Sequence, residues 1–374
     1  MLKWNKISEQ FSLVRLDRYS GELTTICTIP GLNGVWSGSS AFDFQNNLYI
    51  FTADDMEGNT FLYSIDVNTG NIVSSPYFDF PDGFPNSLHV DQRNGNLYAL
   101  YWDLNLSEEY LIRIDKNTGT FTKICYLPEV VGTNPDFTDF DSKNGVYIFL
   151  AFDHEVHTSL YTVDVNTGNV ISNPSFELPD GYASEMHIDQ NTGILYALYW
   201  NQSLSQEFLI RIDRNTAAYS KVYYFPEVKV IQSGISAFDS QNGVYFFRGG
   251  DSDFNWSLYN FDLHTGNLLS KFPFESVDGD VLEMQLPQGK NTVSNALEAI
   301  TICRNPTDGI AILKDVPPKS KIEVYSTYNE FIQIDITEQR ENAILDLRGV
   351  KPGVYFIKVS NGGISKTLKL IKVV

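Results

Sequence analysis

A short motif returns along this chain at one fixed interval. It reads Asp-x-Asn-Thr-Gly in its full form and persists in weaker form elsewhere. Its leading residues are Asp17, Asp66, Asp115, Asp164, Asp213 and Asp262, so every interval is 49 residues. Six copies in one register indicate that most of the chain is built from repeated structural units.

Each repeat also contains a second turn signal, such as Asn94-Gly95 or Asn144-Gly145. Asn and Gly tolerate the positive φ that tight hairpin turns require. The runs between turns are rich in aromatic and β-branched residues and show no helical periodicity. We therefore expect four short antiparallel strands in each repeat, lettered a to d from the innermost strand outward.

Four strands in each of six repeats predict an all-β chain whose first domain is a six-bladed β-propeller. The two ends of the repeat region are complementary. Residues 1–4 align with the end of strand b in a later repeat, and residues 283–286 align with strand a. We expect a strand over 281–286 to join the N-terminal strands and close the ring, which removes free sheet edges.

A longer period of 98 residues is superimposed on the repeat. Trp4, Trp102 and Trp200 recur at this spacing, and small residues occupy the equivalent positions of the alternate repeats: Ala53, Ala151 and Gly249. Large residues facing small ones suit sheets that interdigitate at high packing density. The ring is therefore predicted to be pseudo-threefold, built from pairs of blades.

The repeat ends near residue 286. Residues 287–302 read as a linker, and residues 303–374 alternate apolar and polar residues in several short runs. This pattern predicts a small antiparallel β-sandwich of immunoglobulin-like type. The expected domains are therefore a propeller over 1–286 and a sandwich over 303–374.

The C-terminal segment carries Asn305-Pro306-Thr307-Asp308-Gly309, then Gly353-Val354-Tyr355-Phe356, and a tail at 366–372. In order and spacing these motifs resemble the type A C-terminal sorting domain of the type IX secretion system of Bacteroidetes. The resemblance implies export to the outer-membrane surface or the medium, with the secretion machinery as partner. Such cargo carries a signal peptide, yet residues 1–4 already read as strand; we therefore expect a truncated N-terminus.

Charge and hydropathy exclude two classes of partner. The formal net charge is −19, and residues 1–302 carry the excess of acid. An acidic body repels phosphate backbones, so nucleic acid is not an expected partner. No apolar run is long enough to span a membrane.

The three cysteines, Cys27, Cys125 and Cys303, are too widely spaced for a disulfide framework and are expected to be buried thiols.

The strongest candidate site lies on the strands a. Equivalent positions bring His89, Asp139, His187 and Gln285 to one depth of the central channel, and Glu185 and Glu283 lie two residues earlier on their strands. Such a ring could bind a polar ligand, calcium or another divalent metal, or act as acid and base. A water-filled, hydrogen-bonded channel explains the same residues.

The b–c loops are the second candidate, because they vary most between repeats and variable loops on a rigid scaffold often carry function. On this face we expect ligand contacts from Asp54, Asp55, Asp103, His154, His157 and Trp256. The bland alternative is that these are ordinary solvated loops.

Motifs for known catalytic sites are absent: there is no nucleophile elbow, phosphate loop, dinucleotide-binding pattern or zinc-protease signature. The leading interpretation is a secreted or surface binding module for an extracellular glycan, peptide or protein, with catalysis undecided and less favoured. A hydrolase or lyase with its site in the channel is one alternative. A structural or adhesive scaffold is the other.

Overall fold

The computed structural model describes the chain except for residues 18–20, 79, 81, 275–278, 286–299, 304, 318–319, 328–330, 340–341, 362–363 and 374. It divides into two compact units, Met1–Gln288 and Gly289–Val374. Most of the expected linker at 287–302 lies outside the described residues. No helix among the described residues is long and apolar enough to cross a membrane.

The first unit consists of short antiparallel strands joined mainly by tight turns. In chain order they are β1 (Leu2–Asn5), β2 (Gln10–Leu16), β3 (Leu23–Ile29), β4 (Leu32–Asp43), β5 (Leu48–Asp55), β6 (Thr60–Asp66), β7 (Ile72–Ser74), β8 (Gly83–Val90), β9 (Leu97–Asp103), β10 (Glu108–Ile114), β11 (Phe121–Leu127), β12 (Gly132–Asp141), β13 (Val146–Phe152), β14 (Thr158–Asp164), β15 (Val170–Ser172), β16 (Gly181–Ile188), β17 (Leu195–Asn201), β18 (Gln206–Ile212), β19 (Tyr219–Phe225), β20 (Val230–Asp239), β21 (Val244–Gly250), β22 (Trp256–Asp262), β23 (Asn267–Pro273) and β24 (Gly279–Leu282).

Within the described part of this unit the strands form six four-stranded sheets. Sheet one has the order β24-β1-β2-β3, and sheets two to six are β4–β7, β8–β11, β12–β15, β16–β19 and β20–β23. The first strand of each of sheets two to six contacts the first strand of the next sheet, ending at β24. The sheets therefore succeed one another around a common axis, with the strands a innermost.

The ring closes between the two ends of the repeat region. Strand β24 pairs with β1, and Leu282 lies opposite Leu2. The closing strand ends at Leu282 and does not reach 286 as expected. Its ladder stops where its partner strand begins, because Leu2 is the first residue of β1; Glu283, just beyond, has a positive φ of 50°. Beyond Glu283, the Gln285 side chain donates to Ser40 Oγ at 3.2 Å, and this hydrogen bond links the end of the closing strand to sheet two.

The 98-residue period is visible in the packing. Trp4 packs against the buried cluster of sheets one and two that contains Ala53. Glycines at the start of three innermost strands recur at the same spacing, at Gly83, Gly181 and Gly279. A Cβ at any of them would collide with the backbone carbonyl of the tryptophan on the neighbouring strand, so only glycine allows the strands this close.

The second unit is a separate β-sandwich. Its strands are β25 (Thr301–Cys303), β26 (Ile310–Lys314), β27 (Lys321–Ser326), β28 (Asp335–Gln339), β29 (Asn342–Asp346), β30 (Gly353–Asn361) and β31 (Ile364–Lys372). One sheet has the order β25-β26-β29-β28 and the other β27-β30-β31. Leu313 and Leu345 from the first sheet share one buried cluster with Ile357 and Leu370 from the second, as expected for two sheets packed face to face.

Candidate functional site

The innermost strands place the predicted channel residues around one cavity. His89 lies on β8, Asp139 on β12 and His187 on β16, and Gln285 follows β24. All four line a cavity of about 420 Å³. His89, His187 and Gln285 recur at 98 residues, and Asp139 lies 50 residues after His89 and 48 before His187. All four strands are innermost, so the repeat brings the four side chains together. A cavity of this size is within the range that holds a small ligand.

Three of these side chains are fixed by one repeated contact. His89 Nε2 lies 2.9 Å from Thr138 Oγ1, and His187 Nε2 lies 2.7 Å from Ser236 Oγ. Gln285 makes the equivalent bond to Ser40, so each residue is held by a hydroxyl of the next sheet. The hydroxyls orient both imidazoles and leave their Nδ1 atoms directed toward the channel.

Asp139 breaks the threefold pattern of the ring. Its two counterparts at the 98-residue spacing are Ala41 and Ala237, which also line the cavity. The carboxylate lies between the histidines: Oδ1 is 3.7 Å from His89 Nδ1, and Oδ2 is 3.8 Å from His187 Nδ1. These distances exceed direct hydrogen bonds and suit a bridging water or ligand atom. Asp139 is held in place by the backbone amides of Phe140 and Ile188, at 2.7 Å and 2.6 Å.

Burial dominates the electrostatics of this ring. It lowers the pKa of His89 to about 4 and that of His187 to about 3, so both imidazoles are neutral at pH 7. Burial also raises the pKa of Asp139 to about 7, against the opposing effect of the two amide donors. The ring therefore presents neutral imidazoles and a carboxyl group that changes charge near neutral pH.

Glu185 and Glu283 lie on the other side of the ring, beside a smaller cavity of about 70 Å³ that His89, His187 and Gln285 also border. Both have positive φ, and each accepts a backbone N–H from the next sheet, from Gly234 at 3.0 Å and Gly38 at 2.9 Å. Burial raises their pKa values to about 8 and about 7. The six predicted channel residues thus line two cavities, and three of them border both.

Sequence reasoning missed Asp136, which borders the smaller cavity. It stands where the other sheets of its threefold set have Gly38 and Gly234, and it accepts a 2.6 Å hydrogen bond from Ser233 Oγ. Aligning the repeats at a spacing of 98 residues, rather than 49, would have identified Asp136, because only at that spacing does it align with two glycines.

The larger cavity opens at the a–b turns. Its rim includes Gln92, Arg93, Ser142, Lys143 and Gln190, which begin those turns. The b–c loops, which stay the second predicted ligand face, lie on the opposite side. The small side chains of Ala41 and Ala237 line the larger cavity, whereas Glu185 and Glu283 line the smaller one.

The loop candidates are spread around the b–c face and mostly cap their own turns. Asp55 accepts from the amides of Glu57 and Asn59, at 2.9 Å and 2.8 Å. Asp103 caps its turn in the same way and pairs with Lys123 at 3.0 Å. Such bonds use the carboxylate oxygens that a ligand or metal would need.

The remaining loop candidates also have local surroundings. Asp54 accepts from Trp36 Nε1 at 3.0 Å, and Trp256 lies 4.7 Å beneath the Arg248 guanidinium. His157 contacts Asp153 at 3.2 Å, and His154 is exposed on the same loop. Among the described residues, no group of three or more His, Cys, Asp or Glu side chains is placed to hold a metal ion.

Two family models match the chain. A secretion system C-terminal sorting domain matches residues 304–373, which confirms the sorting-domain prediction for this segment and implies secretion or surface localisation. DUF6923, described as a repeat of unknown function, matches residues 2–178, just under half of the chain. A comparison with curated proteins gives no match.

Solved structures resemble the chain in fold. TolB from Acinetobacter baumannii superimposes with a TM-score of 0.53 at 12% identity, over 75% of this chain and 64% of that one. The match therefore spans less than two thirds of that protein. The Dos1 propeller gives a TM-score of 0.42 at 12% identity, over 90% and 75%.

Oligogalacturonate lyase from Vibrio parahaemolyticus gives a TM-score of 0.48 at 11% identity, over 90% of this chain and 97% of that one. Identities this low speak to fold alone. The sheets around a channel and the likeness to TolB confirm the predicted fold class, an all-β propeller followed by a strand domain.

Proposed function

We propose that this chain is a six-bladed propeller, exported by a Bacteroidetes-type type IX system through its sorting domain, that binds a small polar extracellular ligand in the larger channel cavity. A sugar residue of a glycan or the end of a peptide has the size and hydrogen-bonding groups that such a cavity accommodates. The secretion machinery is the partner of residues 303–374.

The observation that carries the proposal is Asp139 between two oriented imidazoles. The two sheets related to that of Asp139 by 98 residues have alanine at this position, Ala41 and Ala237, so the fold does not require an acid there. A buried acid costs stability, because its charged form is desolvated. Its presence in one sheet alone therefore points to a selected role, namely a hydrogen-bonding group for a ligand in the cavity.

A second candidate function, a hydrolase or lyase, draws support from the same residue. General acid–base catalysis works best when the catalytic pKa lies near the working pH. Asp139, with a pKa of about 7, meets this condition, and the neutral imidazoles beside it can exchange hydrogen bonds with a bound substrate. Turnover of a bound oligosaccharide or peptide would favour this function over binding alone.

Arrays of neutral and acidic oligosaccharides and of short peptides test the proposal. The double variant His89→Ala/His187→Ala should bind the best array ligand at least tenfold more weakly, because about 1.4 kcal/mol of hydrogen bonding is tenfold in affinity. The matched control His154→Ala/His157→Ala removes two histidines from a b–c loop and should bind as wild type. Silence on every array, or loss of binding only in the loop variant, would overturn the proposal and favour the scaffold interpretation.

A further inference from the structure

Every b–c loop of the propeller presents a large apolar side chain to solvent. We call this set the crown; its members are Ile7, Met56, Leu104, Leu106, Val156, Leu204 and Phe254. Their exposed fractions run from 55% for Leu204 to 79% for Ile7. Single exposed apolar residues are ordinary on a protein surface, but a ring of them on one face of a propeller marks an interaction surface.

The crown is held by rigid turns. Each strand b ends at an Asn or Asp or is followed directly by an Asp, and the side chain of that residue accepts backbone amides of the loop that follows. Asn5 accepts from Ile7 and Ser8 at 2.9 Å and 3.0 Å, and Asp251 accepts from Asp253 and Asn255, both at 2.9 Å. The apolar tips are therefore presented in fixed positions, so less conformational entropy is lost when a partner covers them.

Two crown residues are retained at a conformational cost. Val156 has a φ of 65° and Phe254 a φ of 61°, whereas Gly58 occupies the equivalent position of sheet two. A β-branched or bulky residue in this region is a genuine outlier. Glycine would adopt this φ without strain, so the presence of Val156 and Phe254 points to a role for their apolar side chains.

The loops beneath the crown are strongly acidic. Across 5–9, 54–59, 103–108, 153–157, 201–206 and 251–255 there are ten Asp or Glu residues and one Lys. This charge opposes docking of a second acidic copy or of an anionic membrane. It complements a surface on which an apolar patch is surrounded by Lys and Arg.

We infer that the crown is a docking surface for a protein partner with an apolar patch and a basic rim. The partner would cover the tips, and its cations would face the loop carboxylates. The channel cavity opens on the opposite face, so this interaction is separate from the proposed ligand site.

The test uses the full chain and a defined probe, a 14-residue amphipathic helical peptide of Leu and Lys, titrated by isothermal calorimetry. The variant Leu106→Ser/Val156→Ser/Leu204→Ser/Phe254→Ser should bind it at least tenfold more weakly. A matched control, Ile72→Ser/Val73→Ser/Val170→Ser/Ile171→Ser, removes four exposed apolar residues from outer strands. This control should bind within twofold of wild type, and circular dichroism should show both variants folded.

A peptide of Leu and Glu should not bind, and raising NaCl should weaken binding of the Lys peptide. Equal binding by wild type and the crown variant would overturn the inference, as would equal binding of the two peptides. Crown-dependent binding to phosphatidylcholine vesicles would assign the surface to a membrane instead, and crown-dependent self-association in sedimentation would assign it to a second copy.

Discussion

The two ends of the propeller use the same turn chemistry for different purposes. At the a–b end, the capping carboxylates Asp43 and Asp141 are buried and pair with cations, Lys116 and Arg214, that lie 73 residues further along the chain. At the b–c end, Asp251 caps only its own turn and is partly exposed to solvent. The sequence repeats most faithfully where a turn contacts another sheet, and it is free to vary where the turn faces outward.

A second set of contacts separates the ends in the same way. At the a–b end, Gln92 donates to the carbonyl of Phe42 at 2.6 Å, and Gln190 donates to that of Phe140 at 2.7 Å. Both glutamines reach back to the preceding sheet, so this end is joined by a belt of hydrogen bonds around the cavity rim. The a–b end therefore holds the ring together, and the b–c end is available for binding.

The largest expected difference concerns the capping acids themselves. Asp141→Ala removes a buried ion-pair partner and should lower the free energy of unfolding by about 3 kcal/mol. Asp251→Ala removes only local, solvent-exposed hydrogen bonds and should cost about 1 kcal/mol. Urea unfolding followed by tryptophan fluorescence measures both. Equal losses would mean that the a–b end does not hold the ring.

Buried glutamates at the b–c end give the next effect. Glu207 is 3% exposed, lies opposite Trp200, and burial raises its pKa to about 8. The folded state therefore holds a proton that the unfolded state releases near pH 4.5, so this group lowers stability progressively as pH rises from about 5 through 8. Glu207→Gln does not titrate, and its stability relative to wild type should rise by about 3 kcal/mol over that range.

Chemical unfolding at a series of pH values measures this slope. The exposed loop residue Glu57 supplies the matched control, because Glu57→Gln should shift the curve without changing its shape. A difference in the free energy of unfolding between Glu207→Gln and wild type that does not change with pH would contradict this prediction. It would show that the buried carboxyl group has an ordinary pKa.

The fold could be predicted because it depends on periodicity. A motif that returns every 49 residues places equivalent positions at one depth of a ring, which is why His89, His187 and Gln285 can be grouped from the sequence alone. The end of the closing strand could not be predicted in this way, because it depends on the register with β1, whose first residue, Leu2, lies opposite Leu282.

The candidate site was less accessible to sequence reasoning. The direction in which the cavity opens depends on how side-chain volumes fill the channel, and the periodicity carries no such information. Ligand contacts by the loop acids stay a prediction, because carboxylates in turns look the same in sequence whether they cap a backbone or bind a metal. Exposure, which identifies the crown, follows only once the strand ends are known.

The smallest expected effect has opposite signs at two valines. Val156→Gly relieves a positive φ of 65° at a crown position and should raise the free energy of unfolding by about 1 kcal/mol. Val73→Gly places glycine in the exposed strand β7, where the greater backbone entropy of the unfolded chain should lower the free energy of unfolding by about 1 kcal/mol. Thermal melts distinguish the two. If Val156→Gly is also destabilising, the valine side chain stabilises the fold by packing, and its backbone is not strained. If Val156→Gly is stabilising and also weakens binding of the Leu and Lys peptide, the b–c end sacrifices stability for binding.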